Sequence, residues 1–122
     1  MGCDMHAIAE MSNADGKWEM VAEFGIDRDY DLFANLATCG RSEHIKPICP
    51  PRGWPADLSL GGQRLKEFWS GDGHSAGYLF ASEILRHSFV DRFGNPLALP
   101  GWLADFGRGE IADVRLVFCF DN

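Results

Sequence analysis

Two Asp-x-His pairs are the residues in this sequence whose types and spacing are best suited to chemistry. Asp4 and His6 belong to the N-terminal stretch GCDMH, and Asp72 and His74 belong to the stretch DGHS in the middle of the chain. On an extended backbone, residues two positions apart project from the same face, with roughly 6–7 Å between their Cα atoms. Each pair can therefore present a carboxylate and an imidazole to one point, and we predict that the two pairs meet at a shared site.

Carboxylate and imidazole groups suit either a metal ion or acid–base catalysis. Both are ligands for Zn²⁺ and other transition metals, and water bound to such an ion is the nucleophile of a metal-dependent hydrolase. In the structural alternative, Asp4 caps a backbone amide, His6 is a hydrogen-bonded half-buried residue and Asp72 turns the chain. Both interpretations stay open on the sequence alone. The candidate metal ligands are Asp4, His6, Asp72 and His74.

Cys3 and Ser75 are the candidate nucleophiles, because each lies close in sequence to a histidine. A nucleophile is activated only when a base reaches it with the correct geometry, which adjacency in sequence rarely provides. Strand alternation places Cys3 on the apolar side, opposite to His6, so we predict a packed thiol. Ser75 is predicted to be a cap or turn residue in the ligand-binding loop.

Two arginines beside aromatic residues indicate a pocket for an anion that carries a flat ring. Arg28 and Tyr30 lie in the stretch DRDY, and Arg52 and Trp54 lie in the proline-rich stretch PPRGWP. A guanidinium group beside an aromatic face can hold a phosphate and a base together, as in a nucleotide. In the structural alternative, Arg28 pairs with a neighbouring aspartate and Arg52 locks loop carbonyls.

The charge of the chain excludes some classes of partner. Eighteen acidic residues against eleven Lys and Arg give a formal net charge of −7. The long-range field therefore repels duplex nucleic acid and anionic membrane surfaces. Eight of the eleven basic residues are Arg, whose planar guanidinium suits forked hydrogen bonding to carboxylate or phosphate. A local pocket for a small anion remains compatible with this composition.

The length of 122 residues predicts a single domain, 1–122, since it is too short for two ordinary ones. The four cysteines form no C-x-x-C pair, and the sequence shows no apolar signal segment or membrane span. A disulfide framework would need a secreted context that the polar N-terminal stretch does not indicate. We therefore expect reduced thiols and a cytoplasmic protein.

Alternating apolar and polar residues predict three β-strands. Cys3–Met11 and Lys17–Phe24 flank the turn sequence SNADG and are predicted to form a β-hairpin. In the first strand, the alternate residues from Asp4 to Glu10 are predicted to form the polar face. Val114–Asp121 is predicted to close the sheet, and only a short strand is expected near residues 78–80.

Helical spacing of apolar residues predicts about three short helices, with one further turn after residue 100. They span Asp29–Cys39, Gln63–Trp69 and Ser82–Phe89, with Phe68 and Leu85 among the residues expected to be buried. Four prolines between residues 40 and 60 exclude a helix or central strand and force a long ordered loop. The elements together predict an α+β domain: a small antiparallel sheet, made of the N-terminal hairpin and the C-terminal strand, with helices on one face.

Five blocks of sequence extend over most of the chain: GCDMH at 2–6, DRDYDLF at 27–33, PPRGWPADLS at 50–59, DGHSAGYL at 72–79 and RLVFCFDN at 115–122. Together they resemble a family of small uncharacterised bacteriophage proteins that begin with a Gly-Cys-Asp-Ile-His signature. Met5 stands where that family usually has Ile, and Asp29 stands where Asn is common. Neither difference removes a predicted functional group.

The resemblance implies a phage protein that acts in the cytoplasm of the host cell, with its polar motifs at one site. We predict a homo-oligomeric accessory protein that binds and sequesters a small anionic ligand, such as a nucleotide used as a host-defence signal. The alternatives are a hydrolase that holds a divalent metal such as Zn²⁺ in the Asp-x-His pairs, and an inhibitor that blocks a host protein. Binding is the primary prediction, and no other cofactor is expected. The predicted ligand-binding residues are Asp4, His6, Arg28, Tyr30, Arg52, Trp54, Asp72, His74 and Ser75.

Overall fold

The structure is a computed structural model that describes residues 2–37, 45–106 and 114–122. Within these ranges the chain forms a four-stranded antiparallel sheet and four helices, which confirms the predicted α+β class. The strands are β1 (Asp4–Ser12), β2 (Trp18–Phe24), β3 (Gly73–Phe80) and β4 (Val114–Asp121). The helices are α1 (Tyr30–Leu36), α2 (Leu60–Phe68), α3 (Ala81–Arg86) and α4 (Gly101–Phe106).

Strand β4 lies inside the sheet and is covered on both faces. The strand order is β2-β1-β4-β3, so β4 pairs with β1 on one side and with β3 on the other. Its sequence VRLVFCF is apolar except for one arginine, and all seven residues are buried. A strand that is buried on both faces is expected to show such a near-continuous apolar run.

Helices cover both faces of the sheet, whereas the sequence predicted helices on one face only. Helices α1, α3 and α4 contribute to the main core on the first face, which we call the α1 face. Helix α2 and the loop before it cover the second, or α2, face, where Ile8 and Val117 pack against Leu58 and Leu65. The buried residues of the main core are Cys3, Met5, Ala7, Leu32, Phe33, Leu36, Ala37, Leu79, Ile84, Phe89, Leu103, Leu116, Phe118 and Phe120.

The polar face predicted for β1 is wrong in the middle of the strand. Ile8 and Glu10 are 2% and 0% exposed, because α2 and the preceding loop cover them. The Glu10 carboxylate accepts a hydrogen bond from Arg115 Nε at 2.6 Å. Arg115 also donates to Asp57 Oδ1 at 2.8 Å, and its guanidinium lies 3.9 Å from the Trp18 ring centre. A charged network therefore joins β1, β4 and the loop before α2.

Strand β3 is longer than the short strand that the sequence predicted. Its sequence GHSAGYLF contains two glycines and a serine, and it lacks regular alternation. The pairing with β4 nevertheless runs from Gly73 to Phe80, with a register shift between His74 and Gly77. A Cβ on Gly77 would approach the Phe118 ring at 3.0 Å. The absence of a side chain there lets this edge strand lie close to the core.

Side-chain caps set the starts of the two longest helices. Asp29 Oδ1 accepts a hydrogen bond from the Leu32 amide at the start of α1. Ser59 Oγ accepts one from the Gly62 amide at the start of α2. Such caps satisfy amides that have no partner within the helix. Because of the Ser59 cap, α2 begins at Leu60, three residues before its predicted start.

The predicted helices differ from the structure in their ends and buried faces. Helix α3 spans Ala81–Arg86 and does not continue to Phe89. Phe68 and Leu85 were expected to be buried, which is wrong, since they are 78% and 62% exposed. Successive helical residues point about 100° apart. The neighbouring residues Trp69 and Ile84 therefore take the inward positions in place of Phe68 and Leu85. The predicted end of α1 at Cys39 lies outside the described residues.

Backbone hydrogen bonds hold the proline-rich loop, as the prediction of an ordered loop requires. The Ile48 amide donates to the Asn35 carbonyl at 2.9 Å, which ties the loop to α1. The Gly53 amide donates to the Ala76 carbonyl at 2.8 Å, which ties it to β3. Residues 40–44 of the predicted loop lie outside the described residues.

Asn35 is a buried polar residue that joins α1 to the segment after α3. It is 0% exposed. Its Nδ2 donates to the carbonyls of Asp31 and Val90, both at 2.7 Å. Its Oδ1 lies 3.1 Å from His87 Nε2 and accepts from the Val90 amide at 3.2 Å. Both donors and the acceptor of this amide are therefore used.

Replacing His87 by Gln is expected to make stability less dependent on pH in the weakly acidic range. Burial lowers the pKa of His87 below its ordinary value of 6.5. The unfolded chain therefore takes up a proton at a higher pH than the folded protein does. The stability that the neutral His87 contributes is fully present above about pH 6.5, and it is lost as the pH falls from there toward the pKa of His87 in the folded protein. Urea unfolding of both proteins at about pH 7 and about pH 5.5 measures the difference, and an equal pH dependence would contradict the prediction.

Candidate functional site

The two Asp-x-His pairs come to the same end of the sheet. Asp4 on β1 pairs with Asp121 on β4, and Asp121 pairs with Gly73 on β3. These three residues form one row across the sheet; His74 is one position further along β3, and His6 is two positions further along β1. We call this region the polar sheet end, which consists of Asp4, His6, Gly73, His74, Asp121 and Asn122.

A carboxylate and an aromatic ring hold His6 on the α2 face. His6 Nε2 lies 2.8 Å from Asp121 Oδ1. The imidazole stacks on Trp69, with 3.9 Å between the ring centres and 19° between the planes. In the neutral ring, the carboxylate contact places the proton on Nε2 and leaves Nδ1 as the acceptor. The side chains of His6 and Asp121 are 28% and 21% exposed, so solvent reaches the pair.

His74 is held on the α1 face in a comparable way. It pairs in register with Phe120, and the two rings are stacked with 6.4 Å between their centres. His74 Nε2 lies 3.0 Å from Asn122 Oδ1, and Nδ1 lies 3.0 Å from Ser75 Oγ. Two consecutive residues, Asp121 and Asn122, therefore orient one histidine each.

The register places the two histidines on opposite faces of the sheet. His74 is the partner of Phe120, whereas His6 is the partner of Cys119, the preceding residue of β4. Directly opposite residues share a face, and successive residues of a strand point to opposite faces. The prediction that the two Asp-x-His pairs share one site is therefore wrong, because they share one end of the sheet and not one face.

The four candidate metal ligands do not converge. Throughout residues 2–37, 45–106 and 114–122, no three His, Cys, Asp or Glu side chains are placed to hold a metal ion. Asp4 is hydrogen-bonded to Arg28, and Asp72 is exposed in the turn before β3. A hydrolase in which both Asp-x-His pairs hold one ion does not fit this arrangement.

Arg28 is paired with a carboxylate. Its Nε and Nη2 donate to the two oxygens of Asp4 at 2.9 and 3.0 Å. This pairing lowers the pKa of Asp4 below its ordinary value. The two side chains are 47% and 48% exposed, and ion pairs at such exposure contribute little stability. The structural alternative predicted a neighbouring aspartate as the partner of Arg28, which is wrong, because the partner is Asp4, 24 positions away in sequence.

Arg52 is also paired with a carboxylate, at a different place. Its Nη1 and Nη2 donate to Glu83 at 2.7 and 2.6 Å, and Nη1 also donates to the Tyr78 carbonyl at 3.1 Å. Tyr78 lies level with Ile8 across β4, about 13 Å along the sheet from Asp4. Arg52 and Arg28 are therefore held apart, and they do not form one anion pocket.

The two aromatic residues predicted to line the pocket support the core instead. The Tyr30 hydroxyl accepts a hydrogen bond from the Cys3 amide at 3.3 Å, and its ring meets Phe33 edge-on. Trp54 is half-buried and packs against the α2-face cluster of Ile8 and Val117. Tyr30 therefore packs beside the start of β1, whereas Trp54 packs against the middle of the sheet.

A cleft of about 440 Å³ lies on the α2 face, between α2 and the edge formed by β1 and β2. Helix α2 contributes residues spaced three and four apart, which lie on one side of a helix. His6 lies at the end of the cleft nearest the polar sheet end. We call this the α2 cleft. Its lining includes His6, Glu23, Arg64, Leu65, Phe68 and Trp69.

The α2 cleft combines aromatic walls with an uncommitted cation. The ring of Phe68 is exposed and meets Trp69 edge-on, with 5.1 Å between the centres. Within the part of the chain that the structure describes, Arg64 has no hydrogen-bonded or ion-paired partner. Four other arginines each pair with a carboxylate. Arg64 is therefore available to bind an anion.

A second cleft, of about 470 Å³, contains Arg28 and Tyr30 but is acidic. Two aspartates and two arginines line it, and each arginine is already bonded to a further aspartate, at Asp4 and Asp31. Four carboxylates thus surround two guanidinium groups. This charge balance disfavours an anion in the second cleft.

Sequence reasoning missed four residues of the site: Arg64, Trp69, Asp121 and Asn122. Asp121 and Asn122 carried a usable signal, because two polar residues follow the apolar run of β4 directly. The spacing of Arg64 and Phe68, four apart on a helix, was a second signal. Trp69 was assigned to the core, and nothing local indicates its contact with His6.

The three cysteines within the described residues are not candidate nucleophiles. Cys3 is disulfide-bonded, which differs from the expected reduced thiols. Cys49 and Cys119 are free, and Cys39 lies outside the described residues. Burial raises the pKa of Cys119 to about 11 and raises that of Cys49 above its ordinary value. Both free thiols therefore stay protonated near neutral pH.

Comparison of the chain with known protein families, with curated proteins and with solved structures gives no match. None of the described helices combines the length and apolar character needed to cross a membrane. Geometry and charge at the polar sheet end and in the α2 cleft are therefore the basis for assigning a function.

Proposed function

We propose that this protein binds a small anionic ligand with a flat ring, such as a nucleotide, in the α2 cleft. The observation that carries the proposal is Arg64, which has no carboxylate partner among the described residues and lines the cleft together with the exposed Phe68. A guanidinium group and an aromatic face side by side suit a phosphate and a base. The ligand class is the one expected from the sequence, whereas the site moves away from Arg28 and Arg52.

The size and walls of the α2 cleft support this ligand class. Its volume of about 440 Å³ falls within the range of small-molecule sites, roughly 300–1,000 Å³. Leu65, Phe68 and Trp69 supply apolar contact area, while Arg64 and His6 supply the few polar groups that orient a ligand. Such a mixture is typical of sites for small organic anions.

His6 gives the α2 cleft a preorganised hydrogen-bonding group. Asp121 holds one ring nitrogen and Trp69 covers one ring face, so the imidazole loses little freedom on binding. Its Nδ1 accepts a hydrogen bond from a neutral ligand group, and a protonated ring attracts a phosphate. This contact and Arg64 together select a ligand that is both flat and anionic.

The resemblance to phage proteins supports a biological setting for this binding. In that setting the protein is an accessory factor in the host cytoplasm, and it sequesters a nucleotide that the host uses as a defence signal. A homo-oligomer would present several such clefts at once, which raises the capacity for capture. No catalytic step is required for this role.

Arg64→Gln is expected to weaken nucleotide binding about tenfold or more, because a charge-assisted hydrogen bond is lost. The purified protein is first screened by thermal shift against ribonucleoside monophosphates and cyclic mono- and dinucleotides. Calorimetric titration of the best binder then compares wild-type protein with the variant. Arg64 is exposed, so the substitution leaves the fold intact.

Lys66→Gln is the matched control for Arg64→Gln. Lys66 is an exposed cation two residues further along α2, and it lines a different surface. The control is expected to bind nucleotide as the wild type does. The proposal fails if none of the nucleotides stabilises the protein, or if both variants lose the same affinity. Equal loss would show a nonspecific effect of net charge.

A further inference from the structure

Ser75, His74 and Asn122 have the geometry of a nucleophile, its base and an orienting residue. Ser75 Oγ lies 3.0 Å from His74 Nδ1, and His74 Nε2 lies 3.0 Å from Asn122 Oδ1. Distances of about 2.6–3.2 Å along such a chain are the signature of an activated nucleophile. The group lies on the α1 face of the sheet, away from the α2 cleft, so it is independent of the binding proposed there.

The hydrogen bonds fix the direction of proton transfer. Asn122 Oδ1 can only accept, so Nε2 of the neutral imidazole must carry the proton. His74 Nδ1 is then unprotonated and accepts the hydrogen bond from the Ser75 hydroxyl. In this tautomer Nδ1 can remove the serine proton while the third residue holds the ring through Nε2. The two ring nitrogens exchange the roles they have in the Ser-His-Asp triad, where Nε2 faces the serine.

The backbone at Ser75 is held in an unusual conformation. Its φ is +53°, and no other described residue apart from glycine has a positive φ. It lies within the register shift of β3, where the pairing with β4 is interrupted. Left-handed backbone costs free energy in a residue with a side chain. Hydrolases commonly place a serine nucleophile on such a strained turn, which exposes the hydroxyl.

We propose that Ser75 is an acyl-accepting nucleophile that reacts with activated esters or thioesters. The Ser75 Oγ bonds to the carbonyl carbon while its proton passes to His74 Nδ1. The C–O or C–S bond of the substrate then breaks, and the same proton passes to the departing alcohol or thiol. Water attacks the acyl-serine in the second half, giving a proton to Nδ1 that returns to Oγ as the carboxylic acid leaves. Because Asn122 carries no charge to stabilise the imidazolium, the substrate requires a good leaving group.

An alkyl fluorophosphonate probe tests the nucleophile directly. The full-length protein is expected to gain one adduct, which peptide mapping places on Ser75, and to show a burst with p-nitrophenyl acetate. Ser75→Gly is expected to lose both signals and keep the fold, because glycine adopts positive φ without cost. His74→Phe keeps a ring against Phe120 and is expected to label about 100-fold more slowly, since the base is gone.

Controls separate this chemistry from general serine reactivity. Ser70 is exposed and has no histidine next to it in sequence, so Ser70→Ala is expected to label as the wild type does. Asn122→Ala is expected to slow labelling, and Asn122→Asp to restore it, because the carboxylate also accepts from Nε2. The absence of an adduct on the wild type, an adduct at another serine, or an unchanged rate in His74→Phe would each overturn the proposal. None of these outcomes bears on nucleotide binding in the α2 cleft.

Discussion

Glu10→Ala is expected to lower the free energy of unfolding by about 3–5 kcal/mol, because it leaves a buried cation without its main partner. The side chains of Glu10 and Arg115 are 0% and 3% exposed. The substitution also removes the acceptor for the Ser59 amide, which donates to Glu10 Oε2 at 2.8 Å at the start of α2. Asp57 remains as a partner for Arg115, but the side chain of Asp57 is 64% exposed, so water competes for this ion pair. Urea unfolding monitored by circular dichroism measures the loss.

Two further variants show whether the loss comes from the unpaired charge. Glu19→Ala removes an exposed carboxylate from the edge strand β2 and is expected to change stability by less than about 0.5 kcal/mol. The double variant Glu10→Met with Arg115→Met is expected to be more stable than Glu10→Ala alone, because apolar residues replace both charges. A double variant that is less stable than the single one would contradict this explanation.

Asn35→Ala is expected to lower the free energy of unfolding by about 3 kcal/mol, because several buried groups lose their partners together. The Val90 amide and carbonyl both bond to this one side chain, as does the Asp31 carbonyl. Removal of the side chain frees the segment after α3 from α1. His87 loses its contact as well. Thermal and urea unfolding measure the loss.

Asn95→Ala is the matched control for Asn35→Ala. Asn95 is exposed in the same segment, so its loss is expected to cost less than about 0.5 kcal/mol. Hydrogen exchange at the Val90 amide gives a local measurement: Asn35→Ala should exchange faster there and Asn95→Ala should not. Similar stability of the two variants would show that water replaces the Asn35 contacts without loss.

The sequence predicted the elements that carry strong local patterns. The strand Val114–Asp121 and the N-terminal hairpin follow from alternation, and they form with nearly the predicted ends. Strand β3 has no such pattern, because Gly73, Ser75 and Gly77 interrupt it. Its pairing is imposed by β4, a strand distant in sequence. Local periodicity cannot indicate a strand that exists mainly through its partner.

The site was predicted less well than the fold, because its contacts are long-range. His6 contacts Asp121 across 115 positions, and His74 contacts Asn122 across 48. The sequence predicted that both histidines meet at a shared site, but it gave no means to determine which face of the sheet each strand position occupies. A difference of one position in register moves a side chain to the other face. This difference of one position places His6 in the α2 cleft and places His74, with Ser75 and Asn122, on the opposite face of the sheet.

Strand β4 has a consequence for how the chain folds. It follows β1, β2 and β3 in sequence, yet it lies between β1 and β3 in space. Until β4 is added, neither β1 nor β3 can form its ladder with β4, and two unpaired strand edges stay open to other chains. Folding must close a long loop before the central contacts form, which slows it relative to a helical protein of this size. Because the apolar strand β4 is synthesised after the other three strands, we expect partly synthesised chains, in which β1 and β3 lack their partner, to be the form most prone to aggregation.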